Sequence, residues 1–165
     1  MAKLKWFLIL FIFSALSVSA QTAVELETML QTNVVTKAGA SRFVLGAAEL
    51  IWHELSGPEA EKTAYELALS RQWIKGKADD AIKLKELGFL VMSAFDLRGG
   101  FMYSLLRNPR YAYREMVYRR LIPGRTDASM IVSGPRLLQI IGGVLTYTGE
   151  NERLDAELLY AGGVN

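Results

Sequence analysis

Between Arg98 and Arg125 the chain carries seven arginines, at 98, 107, 110, 114, 119, 120 and 125, with one acid (Glu115) and no lysine. Tyr103, Tyr111, Tyr113 and Tyr118 are interleaved with them. A guanidinium is a planar fork that grips carboxylate or phosphate with two parallel hydrogen bonds and stacks on aromatic rings. An Arg/Tyr surface of this kind suits sugars bearing carboxylates, and it suits an acidic protein partner equally well. The candidate binding residues are Arg98, Arg107, Arg110, Tyr111, Arg114, Arg119, Arg120, Arg125 and Arg136. A second reading stands beside it: on a helix starting at Pro109, Ala112 and Met116 make an apolar stripe, and Arg110, Arg114 and Arg120 are its solvated face.

Other reactive residue types do not assemble. Asp79, Asp80 and Asp127 supply one or two carboxylates per loop, too few for the oxygen cage of calcium, and read as turn or capping groups. His53 is the only histidine and Cys is absent, which excludes most zinc, haem, thiolate and triad chemistry. Glu59 and Glu61 are two apart at a helix start and point to different faces. Ser41, Ser56, Ser70 and Ser133 have no base in their sequence context. Gly99-Gly100 lacks the strand–loop–helix setting of a phosphate cradle. No catalytic set and no cofactor are expected.

The elements that position the arginines are organised as a repeat. Shifted by 48 positions, residues 64–79 lie over residues 112–127 with six identities in sixteen ungapped positions: Ala64/Ala112, Tyr65/Tyr113, Arg71/Arg119, Ile74/Ile122, Gly76/Gly124 and Asp79/Asp127. The same shift pairs Leu84 with Val132, Phe89 with Leu137, Leu90 with Leu138, Met92 with Ile140 and Leu97 with Leu145. Each copy predicts a helix (Pro58 to about Trp73, Pro109 to about Leu121), a loop with Gly and Asp, and a second helix (about Leu84 to Phe95, about Gly134 to Tyr147). Gly76 and Gly124 are placed to end the first helices, and Ser56 and Ser133 to cap helix starts. Phe101, Met102, Leu105 and Leu106 read as an apolar plug between the helix pairs. Val35-Thr36-Lys37-Ala38, followed by Phe43-Val44-Leu45, matches the step at Val132-Ser133 and makes a candidate partial third copy. No segment alternates strictly, so the fold class is all-α: helix–loop–helix repeats packed as one domain.

The pattern of an apolar-patterned helix, an I-x-G-x-x-D loop and a Ser/Thr-started second helix resembles the S-layer homology module, over residues 58–97 and 106–147. The resemblance implies a secreted bacterial protein that holds surface structures to the wall by binding peptidoglycan or its attached polysaccharide. The family's glycan-contacting T-R-A-E segment falls on Lys85-Glu86-Leu87 and on Ser133-Gly134-Pro135-Arg136, and neither reproduces it. Thr36-Lys37-Ala38-Gly39 comes closest.

Residues 1–20 have the layout of a secretory signal peptide: Lys3 and Lys5, an unbroken apolar run from Trp6 to Phe13, and small residues ending Val18-Ser19-Ala20. The run is well short of the roughly 20 residues a membrane span needs. Cleavage after Ala20 removes both lysines and leaves 145 residues with 17 basic and 17 acidic groups. The basic excess of +2 in the full chain therefore belongs to the export signal, and a neutral exported protein is a poor fit to nucleic acid. The remaining charge is segregated, with 13 basic against 6 acidic groups in residues 67–136 and acidic flanks. The expected organisation is a signal peptide (1–20), N-terminal helices (21–57), a first repeat and connector (58–108), and a second repeat with a C-terminal tail (109–165). The expected function is that of a periplasmic or cell-envelope protein, non-catalytic, without a stable membrane span. Its expected partner is a cell-wall polymer or, alternatively, an acidic envelope protein docked in structure or assembly.

Overall fold

A computed structural model describes residues 23–51, 57–124 and 126–162. The expected signal peptide and its cleavage site, Trp52, His53, Ser56 and Arg125 lie outside the described residues. Seven helices run through the rest: α1 (23–31), α2 (Lys37–Ala47), α3 (Gly57–Ser70), α4 (Leu84–Ala94), α5 (Phe101–Leu106), α6 (Pro109–Tyr118) and α7 (Gly134–Gly162). Among the described residues there is no strand, only two isolated antiparallel bridges, Thr36 with Ala81 and Lys83 with Ile131. The all-α reading holds, as one domain around one apolar core.

Local chemistry fixes the helix starts. The Thr36 hydroxyl accepts from the Gly39 amide at 3.1 Å at the head of α2. At the head of α6 the Asn108 side chain accepts from the amides of Arg110 (3.0 Å) and Tyr111 (3.2 Å), and Pro109 occupies the first turn, where its missing N–H costs nothing.

The helix ends differ from expectation. α3 stops at Ser70 and α6 at Tyr118, three residues short of Trp73 and Leu121. Gly76 and Gly124 do not end them; the left-handed residues are Gln72 (φ 59°) and Arg120 (φ 60°). The reason lies one residue on, where the amides of Trp73 and Leu121 reach back to the carbonyls of Ala68 and Met116, each at 2.9 Å. That five-residue closure satisfies a late helix carbonyl and folds an apolar side chain over the helix end. α2 and α4 end in the same way, with Glu49 (φ 56°) before Leu50 and Asp96 (φ 46°) before Leu97. α7 continues fifteen residues past Tyr147. Thr148, just past the expected end, turns its hydroxyl onto the Val144 carbonyl of its own helix at 3.1 Å.

Three chain segments meet at a closed ring of backbone hydrogen bonds. The Val35 amide donates to the Val132 carbonyl (2.9 Å), Val132 to Ile82 (3.2 Å) and Ile82 back to Val35 (2.9 Å). All three side chains are buried. Beside the ring, the first residues of α2 donate to the Asp80 and Ala78 carbonyls, those of α4 to Met130 and Ala128, and that of α7 to Thr32. Pro135 has no N–H and cannot make the second bond that Ala38 and Lys85 make. Val132 thus takes the bonding role of Ile82, two residues before Leu84, with which the ungapped shift of 48 pairs it.

Packing follows from small residues at close contacts. Ala60, Ala64 and Ala68 form a fully buried stripe on α3 that lies against α2. Gly88 brings α4 onto α6, where a side chain would meet the Tyr113 Cα at 3.4 Å. Leu45, Leu84, Leu87, Leu90, Met92, Met116, Leu137 and Ile140 fill the space between.

The expected apolar plug is a correction. Phe101, Met102, Leu105 and Leu106 do not pack between helix pairs but face solvent. A six-residue helix buries one narrow face, and the Tyr103 ring, 4% exposed, takes it.

Candidate functional site

The candidate arginines divide by what they touch. Arg119 is consumed inside the fold. Its Nε donates to Glu115 Oε1 at 2.8 Å, its Nη1 to the Tyr147 hydroxyl at 2.7 Å and its Nη2 to the Arg98 carbonyl, with the guanidinium over the Tyr147 ring at 5.4 Å. It ties α6, α7 and the linker before α5 together. Arg136 braces the head of α7 to the preceding loop, donating to the Pro123 carbonyl at 3.0 Å. Arg120 holds the left-handed position at the end of α6 and extends into solvent. Arg98, Arg107, Arg110 and Arg114 are exposed and form no ion pair within the described residues.

The candidates therefore do not converge on one groove. Arg107 lines a groove of about 390 Å³ between the end of α3, the outer face of α4 and the start of α6. Its walls include Arg71, Trp73, Lys75, Glu86, Phe89 and Ser93. The Arg71 guanidinium stacks on the Trp73 ring at 4.8 Å. Three cations and two aromatic rings thus face one acid across a concave surface. Such a surface can hold a carboxylate between Arg71, Lys75 and Arg107, with the Phe89 ring and the edge of the Arg71–Trp73 stack beside it. Arg114 and Tyr111 instead line a shallower hollow of about 310 Å³, together with Phe101, Met102 and Tyr118.

Sequence reasoning missed Arg71, Trp73, Lys75 and Phe89 as site residues. The signal lies in the fold and not in residue type: with α3 stopping at Ser70, Arg71, Trp73 and Lys75 belong to a connecting segment, where side chains are free to face a ligand.

The segment closest to the family's T-R-A-E is occupied internally. Thr36 caps α2, and Lys37 is 6% exposed. The Lys37 ammonium donates to the Lys75 carbonyl at 2.7 Å and pairs with Asp80 at 3.4 Å and Glu86 at 3.6 Å. The loop carboxylates are turn residues. Asp80 accepts from the Lys77 amide at 2.8 Å, and that bond, aided by Lys37, holds its carboxyl below the usual carboxylate range. Asp127 is held low by the Ser129 hydroxyl and by the Ser129 amide at 2.7 Å. Among the described residues no cluster of three or more His, Asp or Glu is placed to hold a metal.

A third hollow, about 360 Å³, lies between α1 and α2. Glu25 accepts there from the Gly57 amide at 2.9 Å and pairs with Arg42 at 3.6 Å. Burial, and then the neighbouring Glu25, push the Glu61 carboxyl above its ordinary range against the pull of Arg42. Burial also raises the Tyr103 phenol, opposed by Ser93 and Arg107.

No family model, curated protein or solved structure matches this chain. Among the described residues no helix is long and apolar enough to cross a membrane.

Proposed function

We propose that the chain is exported, is cleaved after Ala20, and acts in the periplasm or cell envelope as a non-catalytic protein that binds peptidoglycan or a linked wall polymer. The observation that carries this reading is the groove of Arg71, Trp73, Lys75, Phe89 and Arg107. Wall polymers present sugar faces and carboxylates at close spacing, and this groove offers rings for the first and cations for the second. The reading includes an S layer homology-like architecture of three helix–loop–helix copies about the Val35–Ile82–Val132 ring. Its support is the ring itself, the equivalent bonds at the heads of α2, α4 and α7, and the shared left-handed endings of α2 with α4 and of α3 with α6.

Sedimentation of the exported protein with purified sacculi tests the proposal. The protein is expected to pellet at low salt. Arg71→Gln with Arg107→Gln removes two exposed cations without touching the core, and should weaken pelleting at least about tenfold, since each charge-assisted bond is worth about 1.5–3 kcal/mol. An absence of pelleting, or pelleting that the double variant leaves unchanged, overturns the proposal.

A further inference from the structure

We infer that the face built by α5 and α6 is a docking surface for an anionic lipid bilayer, an activity separate from the polymer groove. α5 reads Phe101-Met102-Tyr103-Ser104-Leu105-Leu106, and its four bulky apolar side chains other than Tyr103 are exposed, Phe101 by 78% and Leu105 by 64%. A short helix that keeps Phe, Met and two Leu in water, with Tyr103 as its one buried side chain, forgoes most of the apolar burial open to it. Phe101 and Met102 share the shallow hollow with Arg114 and Tyr118 of α6. Arg110, Arg114 and Tyr118 are spaced by four, so they form one stripe along α6 beside α5, and all three are exposed. Arg98 and Arg107 stand at the two ends of α5.

The charge of this face selects its occupant. Four arginines surround the apolar side chains and form no ion pair within the described residues. The one acid of the stretch, Glu115, is already bonded to Arg119 at 2.8 Å. A second copy docked by a two-fold axis would set these uncompensated cations against their own equivalents. A bilayer with anionic headgroups accepts the whole pattern. Phe101, Met102, Leu105 and Leu106 enter the boundary of the acyl region, Tyr118 sits at headgroup depth, and the arginines reach phosphate while their stems lie on apolar surface. The contact is peripheral and needs no spanning helix.

Vesicle sedimentation tests this, with protein purified after export and its mass checked for a start at Gln21. Phosphatidylcholine vesicles containing phosphatidylglycerol are compared with pure phosphatidylcholine. The protein is expected to pellet with the anionic vesicles and to lose binding as salt rises. Arg110→Gln with Arg114→Gln should weaken binding about thirtyfold, from about fivefold per cation near an anionic surface. Phe101→Ser with Leu105→Ser, both exposed and harmless to the core, should abolish it with unchanged circular dichroism. A Phe101→Trp variant should shift its emission to the blue on vesicles. Failure to bind anionic vesicles at low salt overturns the proposal. Binding that survives Phe101→Ser with Leu105→Ser also overturns it, as charge-only adhesion. So does preferential capture by soluble polyglutamate over vesicles, which would assign the face to an acidic protein. Arg107 also lines the groove and is left unchanged here, so loss of vesicle binding in these variants with sacculus binding retained assigns the effect to the α5–α6 face.

Discussion

Gly134, the first residue of α7, permits a backbone contact that no other residue would. A Cβ built on it would lie 1.6 Å from the Met29 carbonyl oxygen of α1 and 2.7 Å from the carbonyl carbon, where separations under 3.0 Å essentially do not occur. In Gly134→Ala the two segments must part by more than about 1.4 Å, enough to lose contact on a steep packing potential. The parting breaks the bond from the Gly134 amide to the Thr32 carbonyl at 2.8 Å and draws the Met29 side chain, 7% exposed, out of the core. The lost bond contributes about 1 kcal/mol and the lost burial about 1.5–3 kcal/mol, for about 2.5–4 kcal/mol in total. For a chain of this size that is a fall in Tm of about 6–12 °C. Gly142 is the control. It lies on the exposed side of the same helix with nothing within 4 Å of its added carbon. Gly142→Ala should stabilise by about 1 kcal/mol through helix propensity alone. Urea unfolding followed by far-ultraviolet circular dichroism compares the two. If Gly134→Ala is as stable as the unaltered protein, α1 is not seated on the head of α7 and the reasoning fails. The positions bonding equivalently in α2 and α4 are Lys37 and Leu84, which carry full side chains. The demand for glycine therefore comes from α1 and not from the ring.

Gly76 and Gly124 make a matched pair in the loops. Both have positive φ (98° and 77°), but a Cβ on Gly76 would meet the Lys37 ammonium at 2.6 Å and Asp80 Oδ2 at 2.7 Å, while one on Gly124 meets nothing. Gly124→Ala should cost only the backbone strain of about 1–2 kcal/mol, and Gly76→Ala about 1–2 kcal/mol more because it displaces a charged hydrogen bond; equal denaturant midpoints would refute the packing argument. The carboxyls respond to pH with opposite signs. Asp80 and Asp127 are held below their unfolded values, so their contribution is present above about pH 4 and lost as pH falls through the folded values. Glu61 is raised, so its contribution is present below about pH 4 and lost as pH rises through its folded value. Denaturation midpoints measured across that range should therefore show a shallower acid loss for Asp80→Asn with Asp127→Asn, and Glu61→Gln should be at least as stable as the unaltered protein near neutrality. A steeper acid loss in the double variant would contradict the first statement, and destabilisation by Glu61→Gln at neutral pH the second.

Much of the scaffold was legible because helix chemistry is local. Pro109 marks the start of α6 by residue type, and Val35 and Val132, matched in sequence, both donate into one backbone ring. The register after the second loop was not legible, for a reason visible in the residues. Ile74 and Ile122, 48 apart, are both buried, yet the residue that takes the bonding role of Ile82 is Val132, 50 positions on. The buried sets then match at a shift of 50: Leu87, Leu90, Val91 and Ala94 against Leu137, Ile140, Ile141 and Val144. The ungapped shift paired buried Leu97 with Leu145, which is 45% exposed. Helices this rich in apolar residues offer plausible matches in more than one register, and only burial separates them.

The candidate site failed to be legible in a related way. A dense run of arginine marks where cations are placed in the chain, and it does not say which of them the fold consumes. Arg119 had a readable signal, since Glu115 lies four residues before it, the spacing at which a helix pairs opposite charges. Arg110 and Arg114 have no acid three or four residues away and form no ion pair within the described residues. Arg107 joins Arg71 and Trp73 only because α3 ends at Ser70 and turns back at Gln72, a backbone event that no side-chain type announces. Apolar residues carry the same ambiguity: Phe101 and Leu105 are as hydrophobic as Leu87 and Leu90, and the difference is that Tyr103 alone fills the one inward position of a six-residue helix. What sequence cannot assign in this protein is therefore the direction in which a side chain is spent, and on the α5–α6 face both the apolar and the cationic groups are spent outward.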